Sequence, residues 1–338
     1  MKTGSKAAQK MTSRLQQVVS AINSGFRILM RILGPITFLV ANLLTLSVAL
    51  LFLFIVFPPL LQVSIVMYVL NVCFALWVTT NIFFNYWLCM LTPPGSPLPC
   101  DDPGKVLGRN GRIEDGQMVR KAVLQVDLAR GVSYKYCREC HAIKPPRTHH
   151  CAVSGKCVYN MDHFCPWMCN TIGYYNYRYF VLFLVYITLG SFYVVSYTLA
   201  NFLHMTPTER DQISMLSMFQ ANVVDILQDV GLTAYSYCFS VALSASISAG
   251  SLCLWHLYLT FTNQTTIEFY TNMKLGYEAR REGVQFRNPY DEGIRKNLRR
   301  VFGDLPWYRQ LLPNFSPPTE PLYSFEFEES VPSAVAIV

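Results

Sequence analysis

Arg31 is followed by no charged side chain until Asp101, an uncharged run of 69 residues. A helix crosses the hydrocarbon core of a bilayer in ~20 apolar residues, so the run has room for two crossings. Its main break is Pro58-Pro59, because proline lacks an amide donor and restricts the residue before it. The pattern therefore predicts transmembrane helices at 34–57 and 66–91. Two further uncharged runs, Tyr179–Thr208 and Val230–Ile267, predict two more at 179–203 and 234–261. The expected fold class is an α-helical polytopic membrane protein with four transmembrane helices and a cysteine-rich module between spans two and three.

Composition supports that reading. Hydrophobic residues make up 52% and charged residues 14% of the 338-residue chain, against ~25% charged in soluble globular proteins. Basic residues set the expected orientation. The first 33 residues carry six and no acid, the segment between spans two and three carries twelve, and the tail after span four carries nine. The loop at 204–233 has Arg210 alone against Glu209, Asp211, Asp225 and Asp229, which makes it lumenal and puts both termini and the large middle segment in the cytosol. No cleavable signal is expected, since the first apolar run starts late and is long, and the Met-Lys-Thr start excludes N-myristoylation. The formal charge of +7 suits contact with anionic lipid. The basic residues are scattered and no nucleic-acid motif accompanies them, so nucleic acid is not an expected partner.

The segments between spans divide by composition. Residues 1–33 read as a basic approach helix. "TPPGSPLP" (Thr92–Pro99) ends span two, and 101–135 reads as a polar linker within the cytosolic loop 92–178. Residues 136–180 are dense in cysteine and histidine, with little apolar core of their own, as in a metal-ordered module. Residues 262–303 read as a folded juxtamembrane tail and 304–338 as a flexible, proline-rich, acidic end. The terminal Ala-Ile-Val has the chemistry of a PDZ-type ligand, a weak signal in three residues.

Of eleven cysteines, Cys73, Cys89, Cys238 and Cys253 fall in spans and Cys100 in the exit loop, where packing explains them. The other six, Cys137, Cys140, Cys151, Cys157, Cys165 and Cys169, fall within 33 residues. A reducing compartment disfavours disulfides, leaving metal binding or catalysis. Cys137-x2-Cys140, then His149-His150, then Cys157 offer three sulfurs and a nitrogen to a tetrahedral, structural Zn²⁺. Cys165 has His163 two residues before it, with Asp162 adjoining. His163 could take the thiol proton while Asp162 fixes its tautomer. Taken alone, such a short Asp-His-x-Cys element is more often structural than catalytic.

The order Cys137-x2-Cys140-x5-Pro146-Arg147-x-His149-His150-Cys151, Cys157-x4-Asp162-His163-x-Cys165-Pro166-Trp167, Gly173-x2-Asn176-x3-Phe180 resembles the DHHC protein S-acyltransferases, or palmitoyltransferases. "TPPG" after span two, "TTIE" (Thr265–Glu268) after span four and "RNPYDEGIRKNLRRVFG" extend the resemblance. "KPPRTHHC" and the tail are most similar to the Abl-philin branch. The resemblance implies a membrane enzyme, in the endoplasmic reticulum or Golgi, that moves a long-chain acyl group from acyl-CoA to cysteines of membrane-associated proteins. Cys165 would carry the acyl group, His163 would act as base and Asp162 would orient it. Trp167 would line the acyl-CoA mouth or anchor at the membrane interface.

The same resemblance implies two zinc sites. The first maps onto Cys137, Cys140, His150 and Cys157. The second would need ligands at 151, 154, 164 and 171, where this chain has Cys151, Ser154, Phe164 and Thr171. Only Cys151 remains, so one structural Zn²⁺ is expected. Phe164 would fill the vacated volume, at ~1.5–3 kcal/mol for a buried side chain against ~10–16 kcal/mol for structural zinc in small peptides. An improvised site from Cys151, Cys169 and His141 or His149 is the alternative. "TTIE" reads either as a capping box or as a link from tail to module, and Asn288 as a tie to the spans or a simple Asn-Pro turn. Asn42, Asn71, Asn81, Asn85 and His256 read as hydrogen-bond partners between spans. A catalytically weak scaffold or adaptor is the alternative to an enzyme. A transporter is disfavoured because the spans carry no acidic or basic residue of the kind a proton or ion relay would use.

Overall fold

The computed structural model describes residues 2–97, 135–204, 223–304, 306–310 and 312–315. Cys100, nearly all of the expected linker, most of the loop expected at 204–233 and the proline-rich end lie outside the described residues. Among the described residues, four helices are long and apolar enough to cross a membrane, over Ser24–Gln62, Ile65–Leu91, Tyr177–Leu199 and Thr233–Phe261.

The first apolar stretch starts ten residues earlier than the sequence pattern indicated, because α1 (Lys2–Leu51) runs unbroken from the basic segment through Pro35. Proline is tolerated inside such helices, where neighbouring groups re-satisfy the freed backbone. The expected break at Pro58-Pro59 takes the form of a π-helical turn, Phe52–Val56, followed by a 3₁₀ turn, Pro58–Gln62. Ser64 then caps α2 (Ile65–Leu91), its hydroxyl accepting from the Met67 amide.

Three antiparallel hairpins form the module: β1 (Lys135–Cys137) with β2 (Ala142–Lys144), β3 (His149–Cys151) with β4 (Lys156–Val158), and β5 (His163–Cys165) with β6 (Asn170–Ile172). Strands of three residues cannot build a sheet core, so their stability comes from cross-links and from the helices they sit on. α3 (Tyr177–His204) and α4 (Val223–Phe261) make the most extensive helix pairing. The Ser, Ala and Gly residues of α4 permit close approach, and Gly250 lies against Thr188. At one end of the bundle Phe52, Val56 and Phe57 pack with Tyr193 and Tyr197. At the other, Tyr86 and Cys89 of α2 join Cys165, Met168, Tyr179, Phe180 and Cys253 in one buried cluster.

The tail folds back under the module end. α5 (Thr266–Arg281) begins at a capping box between Thr265 and Glu268, and α6 (Ile294–Phe302) is pinned by Asn297, which is fully buried and donates to the Phe261 carbonyl at 2.7 Å. Asn288 donates to the Thr262 carbonyl at 2.6 Å and also accepts from the Tyr290 amide, so it both ties the tail to α4 and shapes its own turn. Asn42 and Asn71 make the anticipated contacts between spans, with Trp87 and Tyr193 respectively. The side-chain amides of Asn81 and Asn85 bond back one turn, to Trp77 and Asn81.

Candidate active site and zinc centre

Cys137, Cys140, His150 and Cys157 bring one ligand atom each to within 4.8 Å of the others. His150 Nδ1 lies 3.6, 3.1 and 4.0 Å from the sulfurs of Cys137, Cys140 and Cys157. Nitrogen and sulfur sharing a tetrahedral Zn²⁺ stand about 3.5 Å apart, so this donor set fits the ion. His150 Nε2 lies 2.8 Å from an oxygen of the exposed Glu139, without the alignment of a hydrogen bond. Of the two histidines the sequence left open, the hairpin register sets His150 opposite Cys157.

The β5–β6 hairpin carries the candidate nucleophile. Side chains alternate along a strand, so His163 and Cys165 share one face while Phe164 takes the other. Phe164 packs with Met161 and with Met30 of α1 against Cys151, Val153 and Val158. The Cys151 sulfur accepts from the Ser154 amide at 3.4 Å and from the Thr171 hydroxyl at 3.3 Å. Burial works against charge on this sulfur, and those donors outweigh it, holding the thiol below its ordinary value. The four positions implied for a second zinc site thus form an apolar and hydrogen-bonded plug, and their residues do not fit a metal. Among the described residues, neither Cys151 nor Cys169 joins a converging ligand group. Cys169 sits instead so close to α1 that a Cβ on Gly34 would stand 2.9 Å from its sulfur.

The hairpin is clamped from several sides. Asn170 donates to the carbonyls of Cys89, Met90 and Thr92, and Asn176 donates to those of Cys89 and Thr92, satisfying the open C-terminal end of α2. Thr37 of α1 donates to the Pro166 carbonyl at 2.8 Å, and Tyr86 of α2 donates to the Trp167 carbonyl at 2.7 Å. Gly173 leaves no room for a side chain, since a Cβ there would stand 2.4 Å from Val158. Cys165 is 7% exposed while Trp167, two residues on, is 52% exposed.

Asp162 is buried and organises the group. Its Oδ2 lies 2.6 Å from His163 Nδ1 and accepts from the Thr266 hydroxyl at 2.9 Å, while Oδ1 accepts from the Thr266 amide at 2.6 Å. Burial disfavours charge on Asp162, but the hydrogen bond to His163 and these contacts hold it below the usual carboxylate range. Burial likewise disfavours the imidazolium of His163, and the bond to Asp162 with the contact to Cys165 outweighs it, raising His163 to about 9. With Nδ1 committed to Asp162, Nε2 is the nitrogen left for the proton traffic of a thiol on the same strand face.

Glu268 closes the second link from tail to module. Its carboxylate takes two hydrogen bonds from Arg147, at 2.6 and 2.7 Å, and Oε2 also accepts from the Thr265 amide. Arg147 further donates to the Asn263 side chain and carbonyl and lies 4.5 Å over the Tyr290 ring. Its φ of 63° and the Thr148 amide bond to the Pro145 carbonyl mark a tight turn with a left-handed third residue. Both readings of "TTIE" therefore hold at once: Thr265 and Glu268 cap α5, and Thr266 and Glu268 grip the module.

Sequence reasoning missed two parts of this group. Arg147 and Glu268 were both visible in motifs, but 121 positions of separation hid their pairing. His256 read as a partner between spans, and it does meet the Tyr177 hydroxyl of α3 at 3.2 Å; what the sequence did not show is that a ring nitrogen of it also lies within 4.8 Å of Asp162 and His163 ligand atoms. An open apolar groove of about 520 Å³ runs along α2, lined by Leu76, Phe83, Phe84 and Trp87 among others.

Residues 132–273 match the family model described as DHHC palmitoyltransferase. The chain is similar to Palmitoyltransferase ZDHHC2 of Mus musculus, 32% identical over 69% of this chain and 60% of that one. It is 31% identical to Palmitoyltransferase ZDHHC15 of Xenopus laevis over 65% of this chain and 61% of that one. Palmitoyltransferase ZDHHC16A of Danio rerio is 25% identical over 69% of this chain and 61% of that one. The chain spans about three fifths of the length of each of these relatives.

Proposed function

From the premise that residues 132–273 belong to the DHHC palmitoyltransferase family, we propose that this chain is a membrane S-acyltransferase using Cys165 as its nucleophile. The observation that carries the reading is the Asp162–His163 hydrogen bond of 2.6 Å on the hairpin that presents Cys165. The proton of Cys165 is carried on His163 Nε2, in keeping with the raised value of that imidazole, and the sulfur attacks the thioester carbonyl of a long-chain acyl-CoA. The carbon–sulfur bond to CoA breaks, and the CoA sulfur leaves with the proton from His163. A cysteine of a membrane-associated protein then gives its proton to His163 and attacks the acyl-Cys165 thioester. Cys165 leaves and recovers that proton, so His163 finishes each half-reaction as it began.

Asp162 supports this cycle by fixing the tautomer of His163 and stabilising the imidazolium formed in each half-reaction. Thr266 keeps Asp162 in place from the tail. Cys137, Cys140, His150 and Cys157 would hold one structural Zn²⁺, which would tie the first two hairpins together and, with four protein ligands, leave no open position for chemistry. The apolar cluster around Cys165 suits an acyl chain arriving from the bilayer, and exposed Trp167 is the side chain placed to meet its entry. The distribution of basic residues supports a cytosolic active site, and the family supports the endoplasmic reticulum or Golgi.

The test is incubation of the purified chain with labelled long-chain acyl-CoA. The expected result is a hydroxylamine-sensitive label on wild type and none on Cys165→Ala. A folded wild type that takes no label overturns the enzyme and leaves a scaffold, and a label that survives in Cys165→Ala overturns the residue assignment.

A further inference from the structure

His256 lies in the last turns of α4, 1% exposed, in surroundings where an unused polar ring is costly to bury. Two contacts fix its orientation. Its Nδ1 stands 3.2 Å from the Tyr177 hydroxyl of α3, and Thr260, one turn on, donates to the His256 carbonyl at 2.7 Å while lying 3.4 Å from the same tyrosine. The two imidazoles are 5.8 Å apart between ring centres. The Phe180 ring stands nearly edge-on to both, at 5.4 Å from His163 and 4.8 Å from His256. His163 is therefore not held by Asp162 alone. A polar ring from α4 and an aromatic ring from α3 enclose it.

A metal does not explain the trio of Asp162, His163 and His256. Both carboxylate oxygens are already bonded to Thr266 and one also to His163, and Nδ1 of each histidine faces a partner of its own. What remains is a ring packed beside the acid–base pair and oriented by a dedicated hydroxyl. We propose that His256 is a positioning residue for acyl transfer, closing the α4 side of the His163 ring so that its Nε2 stays in line with Cys165. The inference rests on the S-acyltransferase reading. The chain passes from His256 and Thr260 near the end of α4 to Thr266 at the start of α5, so one short run of chain meets both Asp162 and His163. Small displacements matter here: a misplacement of about 1 Å in a reacting group costs about 100-fold in rate.

The experiment measures single-turnover acylation of Cys165 by the full chain across acyl-CoA concentrations, with zinc content and melting temperature as fold controls. His256→Ala is expected to lower the maximal rate about 10- to 100-fold with the half-saturating concentration within about twofold of wild type, the signature of lost alignment rather than lost binding. His256→Gln, which keeps a polar partner for Tyr177, is expected to recover most of that rate. An His256→Ala rate equal to wild type, or an effect confined to the half-saturating concentration, overturns the inference. If His256→Ala loses zinc or melts early, Tyr177→Phe decides. It removes one hydroxyl and keeps the helix packing, so a rate loss supports the inference and a wild-type rate overturns it. A wild type that forms no thioester overturns the S-acyltransferase reading instead, whereas a wild type that labels as fast as His256→Ala sinks only the role of His256.

Discussion

Glu268→Gln removes one charge from a buried pair and little else. Glutamine still fits the third position of a capping box, so the start of α5 should survive. Arg147 then keeps its charge with 6% of its side chain exposed and loses the carboxylate that took two of its hydrogen bonds. Removing one partner of a buried ion pair costs about 3–5 kcal/mol, because the survivor is left uncompensated. At a few degrees per kcal/mol, melting should fall by on the order of 10 °C. Thr266, two residues before Glu268, holds Asp162 through both carboxylate oxygens, so thioester formation on Cys165 should fall with it. The double variant Arg147→Met with Glu268→Leu removes both charges and should melt nearer wild type than either single change. Scanning fluorimetry and hydroxylamine-sensitive labelling read the two effects. A Glu268→Gln protein that melts within a degree of wild type refutes the energetic argument. One that melts early yet labels at the wild-type rate refutes the link from tail to catalytic pair.

Four further outcomes follow from the site. Phe164→Ala, which empties part of the plug around Cys151, should cost about 3 kcal/mol and lower the melting temperature without changing zinc content. The triple variant Ser154→Cys, Phe164→His, Thr171→Cys rebuilds a four-ligand set with Cys151, so metal analysis should rise from one zinc per chain to two; two in wild type would refute the plug. His163 has a folded value of about 9 against an ordinary 6.5, so its contribution to stability is whole below ~6.5 and lost as pH rises through about 9. Melting should decline over that window in wild type and stay flat in His163→Gln. Stripping zinc with a chelator should abolish labelling of Cys165, because the hairpins have little core of their own without it, and re-addition of Zn²⁺ should restore it.

Charge spacing made the helices legible. An uncharged run from Arg31 to Asp101 has few solutions other than two spans, and the break at Pro58-Pro59 falls where the helix tightens into π and 3₁₀ turns. The start of the first span was not legible in the same way, since Arg27 and Arg31 set the expected boundary at 34 while the apolar helix already begins at Ser24. Short-range motifs were legible because their ligands are close in sequence, as in Cys137-x2-Cys140. Pairings across the chain were not. Arg147 and Glu268, or His256 and His163, meet only because α4 and the tail fold back onto the module, and no local period records that return. Asn297 illustrates the same limit: nothing local marks it out within the tail motif, yet it is completely buried against Phe261.

The alternation of β5 explains how a position the resemblance implies for a second zinc site and the Asp-His-x-Cys element can share three residues. A strand sends neighbouring side chains to opposite faces, so position 164 can change from ligand to phenylalanine without turning His163 or Cys165. What must be preserved is the hairpin's place, and the structure supplies that without an ion. Asn170 and Asn176 hold it to the end of α2, Thr37 and Tyr86 hold its tip to α1 and α2, and Thr266 holds Asp162 at its base. Each such hydrogen bond is worth about 1 kcal/mol net, and Phe164 adds burial on the face the metal would have occupied. Several modest attachments spread over three helices and the tail thus replace one strong local one. The consequence is that the geometry of the proposed nucleophile depends on the packing of the whole bundle, so that substitutions at Met30 or Gly34 of α1, distant in sequence from Cys165, should lower its hydroxylamine-sensitive labelling.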